Sequence, residues 1–385
     1  MGERRAGAAV VALVVLLALN LRTMLAGLPP LVGDVQADLG LSGAAAGVLT
    51  TLPVLCMGAF APLAPRVAAR VPMERALAAC ALFTAAGAAM RGIGTSPALF
   101  LSGVVIGVAI AIAQTLLPVL IRTRFHADTG LLTGAFSMAL VLGSVLAAGT
   151  AVPLEHALGG WAASLASWAV PAVVAALAWA PAALLRRGTT VARGGGAPLL
   201  GSRLAWAVSA FFGVQSMAFY ASLSWIPSIL EDAGWSSEAA GGLLALGALS
   251  GLVPAFLVPL AAARSHHQLW LLAAIVLVPT AGLVGLLVAP GVAPVWMVLV
   301  GLGQSGSLGL ALALPLQRGG DAPTVASLTA MALCVGYLVA ASGPWLLGAV
   351  HDASGNWTVP LVVLIAITLA ELAPGVPAAR ARTIG

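Results

Sequence analysis

Lysine is absent from this 385-residue chain and acids are scarce: 17 arginines stand against 12 carboxylates, and charged residues make up only 8% of the whole. A soluble domain carries about a quarter charged residues. With 61% hydrophobic residues and a mean hydropathy of +1.07, a water-soluble fold is excluded and a polytopic membrane protein is indicated. The three cysteines, Cys56, Cys80 and Cys334, lie inside apolar runs, so no disulfide framework or thiolate metal site is available. The five histidines (His126, His156, His266, His267 and His351) are assigned to loops without ligand spacing. No metal and no other cofactor is expected. The arginines never cluster with exposed aromatics, which argues against a nucleic-acid partner despite the high pI. Acids are not grouped for Mg²⁺ binding, and the neighbouring pair Glu231-Asp232 falls in an outer loop. A membrane-embedded enzyme is therefore disfavoured and no catalytic residue is assigned.

What is present is a series of apolar runs of about 20 residues, each long enough to cross the hydrocarbon core. They lie near 8–30, 44–65, 73–92, 97–121, 130–153 and 162–185, then 204–230, 239–262, 269–289, 293–316, 323–350 and 357–378. The first, behind Arg4-Arg5, is too long for a signal peptide and lacks a clear cleavage site, so it reads as a retained helix. The expectation is an all-α membrane protein with twelve transmembrane helices. Residues 1–185 and 204–385 form two six-helix bundles, and 186–203, with Arg186, Arg187, Arg193 and Gly194-Gly195-Gly196, is a cytoplasmic linker. Every arginine except Arg22 and Arg91 falls in a cytoplasmic segment if both termini are cytoplasmic, whereas Asp34, Asp38, Glu155, Glu231, Asp232, Glu238 and Asp352 fall outside.

The chain is also written twice. Leu39-Gly40-Leu41-Ser42 parallels Ala233-Gly234-Trp235-Ser236, and Pro62-Leu63-Ala64 returns as Pro259-Leu260-Ala261. Met138-Ala139-Leu140 with Gly143 returns as Met331-Ala332-Leu333 with Gly336, and Gly159-Gly160-Trp161 as Gly355-Asn356-Trp357. Two parallel, pseudo-symmetric six-helix halves are the layout of the major facilitator superfamily (MFS), whose halves rock about a site near the midplane. Gly103/Gly107 and Gly303/Ser307 offer small residues one turn apart for close helix approach. Pro53, Pro118, Pro171, Pro227, Pro254, Pro315 and Pro344 are candidate kinks.

Polar side chains within the spans are few enough to weigh singly. Arg22, about two-thirds of the way along the first span, keeps its charge in any protein environment. At mid-bilayer that charge costs at least roughly 2.5–3.5 kcal/mol, so the leading reading is a shielded anion site. The alternative is a structural arginine that caps carbonyls or snorkels. Asn20 is expected to bond a neighbouring helix. Gln114 and Thr115 lie deep in span four, where the amide either meets the anion or joins helices. On span seven Gln215, Phe219, Ser222 and Ile226 share a face, with Ser216 and Tyr220 beside it. Gln304, Ser305 and Ser307 form a polar patch on span ten, and Tyr337 and Ser342 a weaker one on span eleven. Arg22, Gln114, Gln215, Tyr220, Gln304 and Asn20 are the candidate substrate-binding residues. Glu371 is the sole acid within a span, and interfacial snorkelling is its expected role.

Leu19-Asn20-Leu21-Arg22, Thr50-Thr51-Leu52-Pro53-Val54-Leu55-Cys56, Ala61-Pro62-Leu63-Ala64-Pro65-Arg66 and Gln215-Ser216 with Tyr220 and Trp225-Ile226-Pro227 resemble the cyanate/nitroimidazole transporter family of that superfamily. The likeness runs along the whole chain. It departs at Thr23, where the family has proline, and at Gln114-Thr115, where it has Asn-Val. After span two, Pro65-Arg66 replaces the superfamily's usual acid, with Glu74 and Arg75 as candidates to rebuild the gate. The resemblance implies a multi-pass transporter of the bacterial inner membrane, moving small anionic or compact polar solutes by alternating access. Its expected partners are a small-molecule substrate, the lipid bilayer and, where transport is coupled, a proton; a monomer is expected. The alternative is proton-coupled efflux of small drug-like compounds such as nitroimidazoles, ranked second because Gly143-Ser144 stands where such antiporters carry Gly-Pro.

Overall fold

The computed structural model describes residues 2–125, 128–184, 199–265, 267–380 and 382–384, with the side chains of 2–10, 43 and 44 outside that description. Residues 186–198 of the expected linker, His126 and His266 also lie outside the described residues. Chain contacts divide the protein into a first unit of Met1–His126 with Ala139–Gly195, and a second of Ala127–Met138 with Gly196–Gly385.

The first unit is built from α1 (Gly2–Ala26), α2 (Val32–Leu39), α3 (Gly43–Phe60), α4 (Leu63–Ala68), α5 (Met73–Arg91), α6 (Ser96–Arg124), most of α7 (Thr129–Leu158), α8 (Trp161–Ser167) and α9 (Ala169–Leu184). The second holds α10 (Arg203–Asp232), α11 (Ser237–Ser250), α12 (Leu252–Arg264), α13 (Leu269–Val288), α14 (Ala293–Arg318), α15 (Ala322–Ala340), α16 (Ser342–Ser354), α17 (Thr358–Ala370) and α18 (Leu372–Ala379). Among the described residues, eleven stretches are long and apolar enough to cross a bilayer, and α3 supplies a shorter apolar helix at the second position. The run expected over 44–65 is interrupted at Ala61-Pro62 and resumes as α4. Leu82, Phe83, Val170, Leu177 and Trp345 are exposed on helix exteriors, where lipid rather than water suits them.

Proline explains the other interruptions. It lacks the N–H that would bond the carbonyl four residues earlier, and its ring crowds that carbonyl. The breaks after Ser167, Ser250, Ala340 and Ala370 each fall four residues before a proline: Pro171, Pro254, Pro344 and Pro374. Pro53, Pro118, Pro227 and Pro315 instead sit within unbroken helices.

The repeats in sequence become repeats in structure. Gly40 and Gly234 take positive φ (60° and 94°), and the following serines, Ser42 and Ser236, cap α3 and α11 by accepting from Ala45 N and Ala239 N at 3.2 Å. A Cβ at Gly107 would lie 2.6 Å from Cys56 Cβ, and one at Gly303 would lie 2.0 Å from Pro279 Cδ. Gly107 thus marks a close crossing of α6 on α3 and Gly303 one of α14 on α13, which are different crossings. The crossing repeated in both units is α5 on α6 at Gly87, whose Cβ would lie 2.6 Å from Ile106 Cγ1, and α13 on α14 at Gly282, 2.7 Å from Trp296 O. His156 and His351, expected in loops, sit near the C-terminal ends of α7 and α16, because both helices run past the predicted apolar limits.

Candidate functional site

Three neighbours brace α1, which carries Asn20 and Arg22. Gly143 of α7 comes so close that a Cβ there would lie 2.3 Å from Leu19 O. Trp179 of α9 donates from Nε1 to Leu13 O at 3.1 Å. Arg91 at the end of α5 is 3% exposed and donates from Nη1 to Met24 O at 2.9 Å and from Nε to Ser102 Oγ at 3.4 Å. Met24 O lies in the last turn of α1, where carbonyls lack helical partners and favour a cation. The charge of Arg91 thus has a structural use that sequence reading did not supply.

Arg22 is 7% exposed, so its guanidinium is held inside the protein rather than snorkelled into the interface. Asn20 corrects an expectation: Nδ2 donates to Leu16 O of its own helix at 2.8 Å instead of to a neighbour. Its Oδ1 is buried and meets no donor among the described residues. A buried acceptor in that state calls for a water or ligand hydrogen. Gln114 is buried on α6, one of the helices packed on α1, and Thr115 beside it returns its hydroxyl to Ala111 O at 2.8 Å. At the other end of α6, Arg124 pairs with Glu74. Arg75 donates from Nε to Ala183 O at 2.9 Å.

In the second unit, Gln304 of α14 donates from Nε2 to Ser222 Oγ of α10 at 2.7 Å. This bond joins the polar patches of spans seven and ten. Gln215 donates from Nε2 to Ser216 Oγ at 2.6 Å and to Phe212 O at 3.2 Å, so its amide nitrogen is engaged on its own helix. Tyr220 is half-buried and meets Phe219 edge-on at 5.4 Å, while buried Tyr337 meets Phe212 in the same way. The six candidate residues therefore fall three to a unit: Asn20, Arg22 and Gln114 in one, Gln215, Tyr220 and Gln304 in the other.

Glu371 also departs from expectation. It is 2% exposed, lies about 12 Å of helix from Ala379, and accepts from Ser307 Oγ of α14 at 2.8 Å. A carboxyl so enclosed is not snorkelling. Among the described residues, the buried arginines and carboxyls are Arg22, Arg91 and Glu74 in the first unit and Arg318 and Glu371 in the second. No group of three or more His, Cys, Asp or Glu able to hold a metal ion occurs among the described residues.

Comparison with known proteins places this architecture. The model of the Major Facilitator Superfamily matches residues 11–341. The chain is 34% identical to the 2-nitroimidazole transporter of Escherichia coli (strain K12), covering 96% of this chain and 95% of the relative. It is 32% identical to the cyanate transport protein CynX of the same organism, covering 89% and 90%. Among solved structures, the proton:xylose symporter XylE superposes with a TM-score of 0.73 over 98% of this chain and 97% of its own, at 14% identity, a likeness of fold.

Proposed function

The chain belongs to the Major Facilitator Superfamily and is a multi-pass membrane transporter rather than an enzyme; within that frame we propose that it carries a small anionic or compact polar solute, cyanate-like or bearing a nitro or carboxylate group, by alternating access. The observation that carries this reading is Arg22, a guanidinium enclosed within an apolar span. It shares its unit with a second buried arginine, Arg91, and with one buried carboxyl, Glu74, which is already paired with Arg124. A planar guanidinium presents a fork of donors matched to carboxylate or similar oxygen pairs. Asn20, one residue away from the Leu19 contact that fixes α1, offers a buried acceptor to the same solute, and Gln114 a further amide. Gln215, Tyr220 and Gln304 serve as neutral amide and aromatic contacts.

The distribution of arginines supports an inner-membrane location with both termini in the cytoplasm. The bundles are taken as 1–185 and 204–385 about the linker 186–203, acting as a monomer with a small-molecule substrate and, where coupled, a proton. A second reading, export of drug-like nitroimidazoles, draws on the 2-nitroimidazole transporter at 34% identity. Purified full-length protein in proteoliposomes distinguishes these readings: labelled cyanate and 2-nitroimidazole are followed in uptake, efflux and counterflow. At least one is expected to exchange in an Arg22-dependent manner. Exchange of neither, or exchange undiminished in Arg22→Ala, rejects the proposed solute class.

A further inference from the structure

We propose that Glu371, with Ser307 as its hydrogen-bonding partner, is the proton-binding site of this transporter. The carboxyl takes up a proton from one side of the membrane and releases it to the other as the solute moves. This rests on the transport reading above, but its first test does not depend on any solute.

The geometry suits both protonation states. When Glu371 is a carboxylate, Ser307 donates its hydroxyl hydrogen to Oε2, at 2.8 Å. When Glu371 carries the proton, Oε2–H donates to Ser307 Oγ, and the serine hydrogen turns to Ile275 O of α13, at 3.5 Å. One hydroxyl thus serves as donor to the charged form and acceptor from the neutral form. Neither state leaves the pair without a hydrogen bond, which a site that cycles between them requires.

The surroundings hold no fixed counter-charge. The side-chain hydrogen bond of Glu371 is to Ser307, and it makes no ion pair among the described residues. The elements packed on α17 and α18 are α10, α13 and α16, with α14 contributing Ser307. α13 carries no titratable side chain; α10 carries Arg203, Tyr220, Glu231 and Asp232, α16 carries His351 and Asp352, and α14 carries Arg318. Arg318 is eleven residues beyond Ser307, about 16 Å along the helix, and is occupied with Ala378 O at 2.8 Å and with Gln268. Ionisable side chains within spans mark proton relays and ion pathways when they face the bundle interior.

The backbone at this point is also jointed. Glu371 is the residue between α17 and α18, where Pro374 removes the bond to Ala370 O. A small change of φ and ψ at such a joint re-aims the carboxyl without unwinding either helix. The equivalent stretch of the first half, in α9, reads Ala175-Ala176-Leu177-Ala178 and carries no acid, so the site belongs to one unit alone.

The direct test is infrared difference spectroscopy of the purified full-length protein across a pH series. The expected result is a carbonyl-stretch band from a protonated carboxyl that disappears as pH rises and is missing in Glu371→Gln. Ser307→Ala is expected to shift the pH at which the band is lost. If Glu371→Gln does not fold, Glu371→Asp must displace the band; a titrating band unaffected by either substitution, or no band in the wild type, overturns the proposal. In proteoliposomes, Glu371→Gln is expected to lose accumulation of cyanate or 2-nitroimidazole driven by a pH gradient while keeping counterflow. Gradient-driven accumulation that survives in Glu371→Gln overturns the proposal, as does loss of counterflow in a folded variant, which would put Glu371 in solute binding. Failure of the wild type to move either solute defeats the solute reading and leaves the spectroscopic test standing.

Discussion

The first unit buries Arg22 and Arg91 with a carboxylate, Glu74, that pairs with Arg124, whereas the second buries Arg318 and Glu371, each held by different neutral partners. The scaffolding of the two is nevertheless shared: the left-handed glycine and capping serine at Gly40/Ser42 and Gly234/Ser236, and the close crossings at Gly87 and Gly282. Duplication has preserved the turns, caps and crossings and let the ionisable residues diverge. Repeat-equivalent to Arg22 is the neighbourhood of Ser216, which serves as acceptor for Gln215, and the stretch equivalent to Glu371 is all alanine and leucine. On this account one half recognises the solute by charge and the other handles the proton.

The largest effects should come from substitutions that remove this asymmetry. Arg22→Ala is expected to lower solute affinity by about 2–5 kcal/mol, the range for truncating one side of a buried charge pair. Arg22→Lys should also impair it, since the charge stays but the planar fork is lost. Calorimetric titration of both variants checks this. Next in size are substitutions that the shared scaffold should feel alike. Gly87→Val and Gly282→Val each press a side chain into the facing helix and should destabilise by about 1–3 kcal/mol, read as lowered thermal midpoints. A large effect at one and none at the other would break the structural equivalence of the halves.

Smaller still are the caps: Ser42→Ala and Ser236→Ala should each cost about 1 kcal/mol, with faster hydrogen exchange confined to the first turns of α3 and α11. The smallest effect concerns Asp321, which caps α15. The side chain and the backbone N–H of Thr324 donate to its carboxylate and hold it below the usual value. A lowered folded-state value means that the cap's contribution is complete above the ordinary carboxylate range and fades as pH falls through the lowered value. Exchange at Thr324 and Val325 should therefore accelerate only at acid pH, and Asp321→Asn should abolish that dependence.

Hydropathy and the repeat made the spans and the superfamily layout legible, because burial in lipid leaves a strong one-dimensional signal. The helix breaks were half legible. Pro171, Pro254 and Pro344 interrupt their helices, Pro53, Pro118, Pro227 and Pro315 do not, and Pro374 went unmarked. Proline removes the same hydrogen bond everywhere, but the neighbours that absorb the freed carbonyl are set by tertiary packing. The candidate residues show the same division. Depth along a span identified Arg22 and Gln304 as interior, yet not that Gln304 bonds Ser222, that Asn20 turns to Leu16 O, or that Arg91 caps α1. Those depend on how each helix is rotated and which neighbour it meets. Glu371 departs from its expected interfacial role for that reason. Its place in the span suggested the interface, while its rotation toward α14 brings it to Ser307, a residue 64 positions away in the chain.

The division of labour between the halves is tested most directly by calorimetric titration of purified wild type, Arg22→Ala and Glu371→Gln with cyanate and with 2-nitroimidazole. The account predicts that the wild type binds at least one of them, that Arg22→Ala loses that binding, and that Glu371→Gln retains it. Binding that survives in Arg22→Ala, or that disappears equally in both variants, would contradict it.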